Sequence, residues 1–211
     1  MVFTVSLRSL LLVCLLPLCI QSVDETADPQ TLMRIVEMFE TRLNVKGQYA
    51  VAIRLEKEEC LPKADLNSMV FDRKKLQEIG VDILNGEISV SDDIIAAKYK
   101  QFDKYTDHSE FRLKNYLNKV LAKEDQCVIY FSLNSPCLNK CLNGKYNIEN
   151  SLKALQSYTG IKAFLFKYVY EGDDKQTMVE RMKAIAPNLP LFQCRYTIEQ
   201  PTCVQLLKGS T

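Results

Sequence analysis

The order of patterns along the chain predicts a three-layer α/β/α domain around a mixed five-stranded sheet. Three observations carry this expectation. Amphipathic helical stretches alternate with short apolar runs of strand length. The run Tyr49 to Leu55 is apolar on both faces, as a central strand is. The 211 residues, less a leader of 22, leave 189, which suits one core with no linker dividing it.

The leader is read from residues 1–22, which hold one charge, Arg8, then the apolar run Leu10 to Leu16, and end on a small residue, Ser22. This is the pattern of a secretory signal peptide, so a secreted, extracellular mature chain of residues 23–211 is expected. A retained signal anchor is the alternative reading. No later segment approaches the ~20 apolar residues of a spanning helix, so no membrane contact is expected of the mature form.

Asp28-Pro29 pairs a capping residue with proline, and Leu32, Ile35, Val36, Phe39 and Leu43 follow at helical spacing, predicting a helix over 29–44. Gly47 ends it, and the first strand follows. Residues 56–91 are polar and punctuated by Pro62, Gly80 and Gly86, with a short helix at 72–79 the only element expected there. A second strand is read over 94–100. From Asp107 a helix is predicted by the stripe Leu113, Tyr116, Leu117, Val120 and Leu121. A third strand spans 127–133, and Ser135-Pro136 signals a brief helix cut by Asn143-Gly144. A helix over 147–158, a strand over 161–170, a helix over 174–186 and a strand over 191–197 complete the core.

With 27 basic and 26 acidic residues, the chain has no global positive field to hold a polyanion. Any such contact must be local. Lys98, Lys100 and Lys104, interleaved with Tyr99, Phe102 and Tyr105, form one basic and aromatic candidate patch; an edge strand with lysines in water reads equally from the same residues. Beyond the leader lie six cysteines, Cys60, Cys127, Cys137, Cys141, Cys194 and Cys203. If Cys137 and Cys141 bind metal, the other four allow two disulfides in any of three pairings; if all six are oxidised there are fifteen.

The single histidine, His108, narrows the chemistry. A three-histidine zinc site and a metalloprotease helix are excluded; Ser-His-Asp hydrolysis could use this one histidine, and a His/Cys/Cys site with a neighbouring carboxylate remains. Glu110 falls three residues before Leu113, on the helix face that turns inward, where an unpartnered carboxylate would be costly. A capping box from Asp107 to Glu110 is the competing explanation. Cys137 and Cys141, four apart in the first turn of a helix, are placed where exposed amides favour thiolates. That spacing also fits a disulfide. His108 lies off the apolar stripe and would have to act from the helix end, so that two helix starts face one ion.

Taken together, His108-x-Glu110 followed by Pro136-Cys137-x-x-x-Cys141 resembles the cytidine deaminase superfamily, nearest its AID/APOBEC-like branch, and with the leader the secreted AID/APOBEC-like deaminases of vertebrates. The resemblance spans roughly residues 29–198 and implies a cytidine-deaminase-like fold. It implies that His108, Cys137 and Cys141 hold one Zn²⁺ and that Glu110 moves protons while cytosine becomes uracil. The substrate so implied is a cytosine nucleoside or single-stranded nucleic acid, in a defence role. Tyr168 or Tyr170 would stack on the base. The chain departs from the pattern in lacking tryptophan before Pro136, in the long 56–91 segment, and in the acids Glu171, Asp173 and Asp174, which would repel a phosphate backbone. A catalytically inactive binding protein on the same fold, with structural zinc or a disulfide, is the alternative function.

Overall fold

The computed structural model describes residues 26–64, 73–196 and 200–208; the expected leader and Thr197 lie outside the described residues. Helix α1 (Pro29–Leu43) begins where the sequence places it, with Asp28 accepting the Thr31 amide at 2.8 Å, and ends at Asn44 in the left-handed conformation, φ 51°. Strand β1 (Tyr49–Leu55) is buried at every position. A 3₁₀ turn (Lys57–Cys60) then brings Cys60 to its disulfide with Cys127.

Helix α2 (Arg73–Leu84) runs past the expected end at 79, straight through Gly80. There a Cβ would stand 2.2 Å from the Leu43 carbonyl oxygen. The glycine is a packing device, letting α2 touch the end of α1, and not the breaker its composition suggested. Strands β2 (Ile88–Val90) and β3 (Ile94–Lys98) follow, and the short β4 (Lys100–Gln101) and β5 (Thr106–Asp107) form a separate two-stranded ribbon.

The expected long helix after Asp107 is broken into α3 (Ser109–Leu113) and α4 (Leu117–Val120). Leu113, Leu117 and Val120 still face inward, so the stripe marked the buried face correctly but not the continuity. Arg54, buried on β1, donates Nη1 to the Lys119 carbonyl at 3.0 Å and so serves the end of α4 from another element. The remaining elements are β6 (Cys127–Asn134), α5 (Glu149–Ser157), β7 (Ile161–Tyr168), α6 (Lys175–Ile185), β8 (Leu191–Tyr196) and β9 (Pro201–Leu207).

Among the described residues the main sheet has seven strands in the order β2-β3-β1-β6-β7-β8-β9, not five. Pairs β6/β7 and β7/β8 are parallel and the other four are antiparallel. The two added strands, β2 and β9, are its edges. Their residues are mostly half-exposed, so neither carries the two-faced apolar run that reveals an inner strand. Alternation along β1 and β6 splits the core. Val51, Ile53, Ile129 and Phe131 face α1 and α2, while Ala50, Ala52, Val128 and Tyr130 face α3 to α6, giving the three layers. Disulfide Cys194–Cys203 crosses β8 and β9.

Candidate metal centre

The site forms where the parallel strands end. Ser135 leaves β6 by donating its amide to the Tyr168 carbonyl at 2.7 Å, and its Oγ accepts the Tyr170 amide at 3.0 Å, which ties the exits of β6 and β7 together. Ser135-Pro136 is therefore not the cap expected. Cys137 is the N-cap residue, and the turn that follows, Leu138–Leu142, is π-helical: the Cys141 and Leu142 amides both reach the Cys137 carbonyl at 3.1 Å. The Leu138 amide is capped from the next loop by Asp173 Oδ2 at 2.8 Å. Gly144 lets the chain leave this turn, since a Cβ there would sit 2.4 Å from the Asn139 carbonyl oxygen.

His108 is likewise the N-cap residue of α3, the place the capping-box reading gave to Asp107. Its Nδ1 stands 3.3 Å from Cys141 Sγ and 3.6 Å from Cys137 Sγ, and the two sulfurs are 3.4 Å apart. Tetrahedral zinc with two sulfur ligands and one nitrogen sets those atoms roughly 3.5–3.8 Å apart. The observed spacing agrees within a few tenths of an ångström, so the residues fit such an ion and no disulfide joins the thiols. The hydrogen bond shared by the two thiols holds Cys137 well below the usual thiol range and keeps Cys141 above it. Contact with Cys137 in turn raises His108.

Glu110 is 1 % exposed. It does not reach back to the helix start, and His108 caps without a side-chain bond, so the capping box is not formed. The carboxylate points inward instead, where Oε1 accepts Ser132 Oγ at 2.8 Å and Gln48 Nε2 at 3.4 Å, and Oε2 accepts Ser109 Oγ at 3.0 Å. Burial raises its pKa, and the hydrogen bonds and His108 oppose that rise. Gln48 Nε2 also donates to Ser132 Oγ at 3.0 Å and Ser109 Oγ at 3.2 Å.

Gln48 and Ser132 were not read as site residues. Ser132 had left one trace, as the hydroxyl inside the otherwise apolar run from Cys127 to Leu133.

The Tyr170 ring stacks against His108 with centroids 5.6 Å apart. Tyr168 is 53 % exposed and meets the Lys167 ammonium. Asp173 and Asp174, expected to repel a phosphate backbone, are both engaged as caps; Asp174 Oδ1 accepts the Thr177 amide at 2.8 Å. The basic and aromatic patch lies on the β4/β5 ribbon, and its rings are turned on one another. Phe102 stacks on Tyr105 at 4.7 Å, Tyr105 on Tyr146 at 6.2 Å, and Tyr146 meets Phe111 edge-on at 5.1 Å. Lys98 and Lys100 sit over the Tyr99 and Phe102 rings. Lys104 is exposed.

Among the described residues no helix is long and apolar enough to cross a membrane. Comparison with curated proteins gives no match. A family model described as Secreted Novel AID/APOBEC-like Deaminase 1 matches residues 29–210, which takes in every element of the sheet and all four residues His108, Glu110, Cys137 and Cys141, and the chain belongs to that family.

Proposed function

We propose that the chain is a secreted, zinc-dependent deaminase that hydrolyses cytosine, in a nucleoside or a single nucleic-acid strand, to uracil and ammonia. The observation that carries this reading is the buried Glu110 carboxylate, oriented by three protein donors beside a His/Cys/Cys donor set. A carboxylate serving only the fold would not need so costly a place.

Zinc held by His108, Cys137 and Cys141 would supply the Lewis acid that makes water nucleophilic near neutral pH. The rest falls to side chains. Glu110 Oε2, which among the described residues carries only the Ser109 hydrogen bond, is the oxygen with capacity to take the proton of the attacking water. The same group then returns that proton to ring N3 and the second to the departing amine, so one water is consumed and one ammonia released. Oε1 stays tied to Ser132 and Gln48 and keeps the carboxylate from rotating. Tyr170, already against His108, offers its ring to the base.

The disulfides Cys60–Cys127 and Cys194–Cys203 and the family's description support an extracellular site of action. The test is metal content and turnover together. The purified protein should carry one zinc per chain and convert cytidine or an oligodeoxycytidine to the uracil product, Cys137→Ser should lose the metal, and Glu110→Ala should keep it and lose turnover. A protein without zinc, or a Glu110→Ala variant as active as the parent, overturns the reading.

A further inference from the structure

A groove of ≈ 660 Å³ lies outside the metal site, between the broken helix α3/α4 and helix α5. It is lined by four carboxamides, Asn115, Asn118, Asn147 and Asn150, and by two ammonium groups, Lys114 and Lys145. Among the described residues no carboxylate lines it. In a chain whose acids and bases nearly balance, a cleft with lysines and no acid selects for negative charge.

The carboxamides add a second requirement. Asn147 donates Nδ2 to the Gly144 carbonyl, while Asn115, Asn118 and Asn150 are exposed. Each can present donors and an acceptor to an occupant, which matches hydroxyl groups that both give and accept. The floor is apolar: Leu117 and Ile148 are buried beneath the rim. An occupant must therefore offer acidic groups, many hydroxyls and a weakly polar face.

Stacked bases do not meet that description here. Lys114 Nζ stands 3.8 Å over the Phe111 ring, Lys145 covers Tyr146, and Tyr146 also stacks with Tyr105, so the rings beside the groove have neighbours on their faces already. Base stacking would have to displace these contacts. Both lysines line the groove, with their ammonium groups over those rings.

We propose that this groove binds an anionic oligosaccharide, a sugar chain bearing sulfate or carboxylate. The lysines meet the acidic groups, the asparagines hold ring hydroxyls, and the apolar floor takes the C–H face. Neither metal nor catalysis is involved, so the site stands or falls apart from the deaminase reading.

The experiment is calorimetric titration of the full secreted chain, and of Glu110→Ala, with a heparin-derived hexasaccharide and a hyaluronan hexasaccharide, at low and physiological salt. Saturable binding of either sugar is expected, unchanged in Glu110→Ala. Asn118→Leu and Asn150→Leu, which leave the charge untouched and replace exposed side chains, should each weaken it about fivefold, the worth of a hydrogen bond, while Lys183→Ala on α6 should not. Absence of binding to both sugars overturns the proposal. So does binding that ignores the asparagine changes, which would be lysine attraction alone, or a dodecameric oligodeoxycytidine that occupies the groove with the same asparagine dependence.

Discussion

Gln48 presents Nε2 to the Glu110 carboxylate, 3.4 Å from Oε1, because its own Oε1 is held by the Asn134 amide at 2.9 Å. A carboxamide with its oxygen committed shows only donors on the other side. Gln48 is thus a positioning residue that joins the end of β6 to the carboxylate at the start of α3.

Gln48→Leu should leave zinc content at the parent level and lower kcat on a cytosine substrate by about tenfold, the cost of one hydrogen bond to a charged group. Metal analysis and steady-state kinetics on the same preparation check this. An unchanged kcat would reduce Gln48 to a structural contact.

Because burial lifts the Glu110 pKa, the metal-free folded state binds more protons than the unfolded chain between the ordinary carboxylate pKa and the raised one. Stability from this group is greatest below about pH 4.3 and falls as pH rises through the folded value. Glu110→Gln removes the ionisation while keeping the shape. The metal-free variant should melt above the parent at pH 7 and no higher than the parent near pH 4. Melting curves at the two pH values decide it.

The disulfide Cys60–Cys127 closes a separation of 67 residues and Cys194–Cys203 one of 9. Loop-closure entropy assigns them about 4 and 2.5 kcal/mol. Denaturant titration of the two paired Cys→Ala variants should show the larger loss for Cys60/Cys127. Equal losses would mean that native packing, not chain entropy, sets both.

Tyr170 touches a metal-ligating candidate and Tyr168 does not share that contact. Tyr170→Ala should raise KM for a cytosine substrate more than it lowers kcat, while Tyr168→Ala should move neither by more than twofold or so. Saturation kinetics of the two variants provide the comparison.

His108-x-Glu110 and Pro136-Cys137-x-x-x-Cys141 could be read from the sequence because ligand chemistry is a matter of residue type and short spacing. The inner strands could be read because burial on both faces leaves unbroken apolar runs, as Tyr49–Leu55 shows. Edge strands β2 and β9 bury too little to leave that signal. The break between α3 and α4 was hidden because inward residues keep helical spacing across it, and its end is served by Arg54 from β1, 65 residues away.

The sequence alone determined the three-layer class, the inward turn of Glu110 and the His/Cys/Cys group that could hold a metal. Only the tertiary structure decided what surrounds that carboxylate: Gln48 and Ser132 lie 62 and 22 residues from Glu110 in the chain and reach it because β1 pairs with β6 in the register that sets Ala50 opposite Ser132. Strand register is chosen by the burial of whole faces, and no local spacing records which polar groups it brings together.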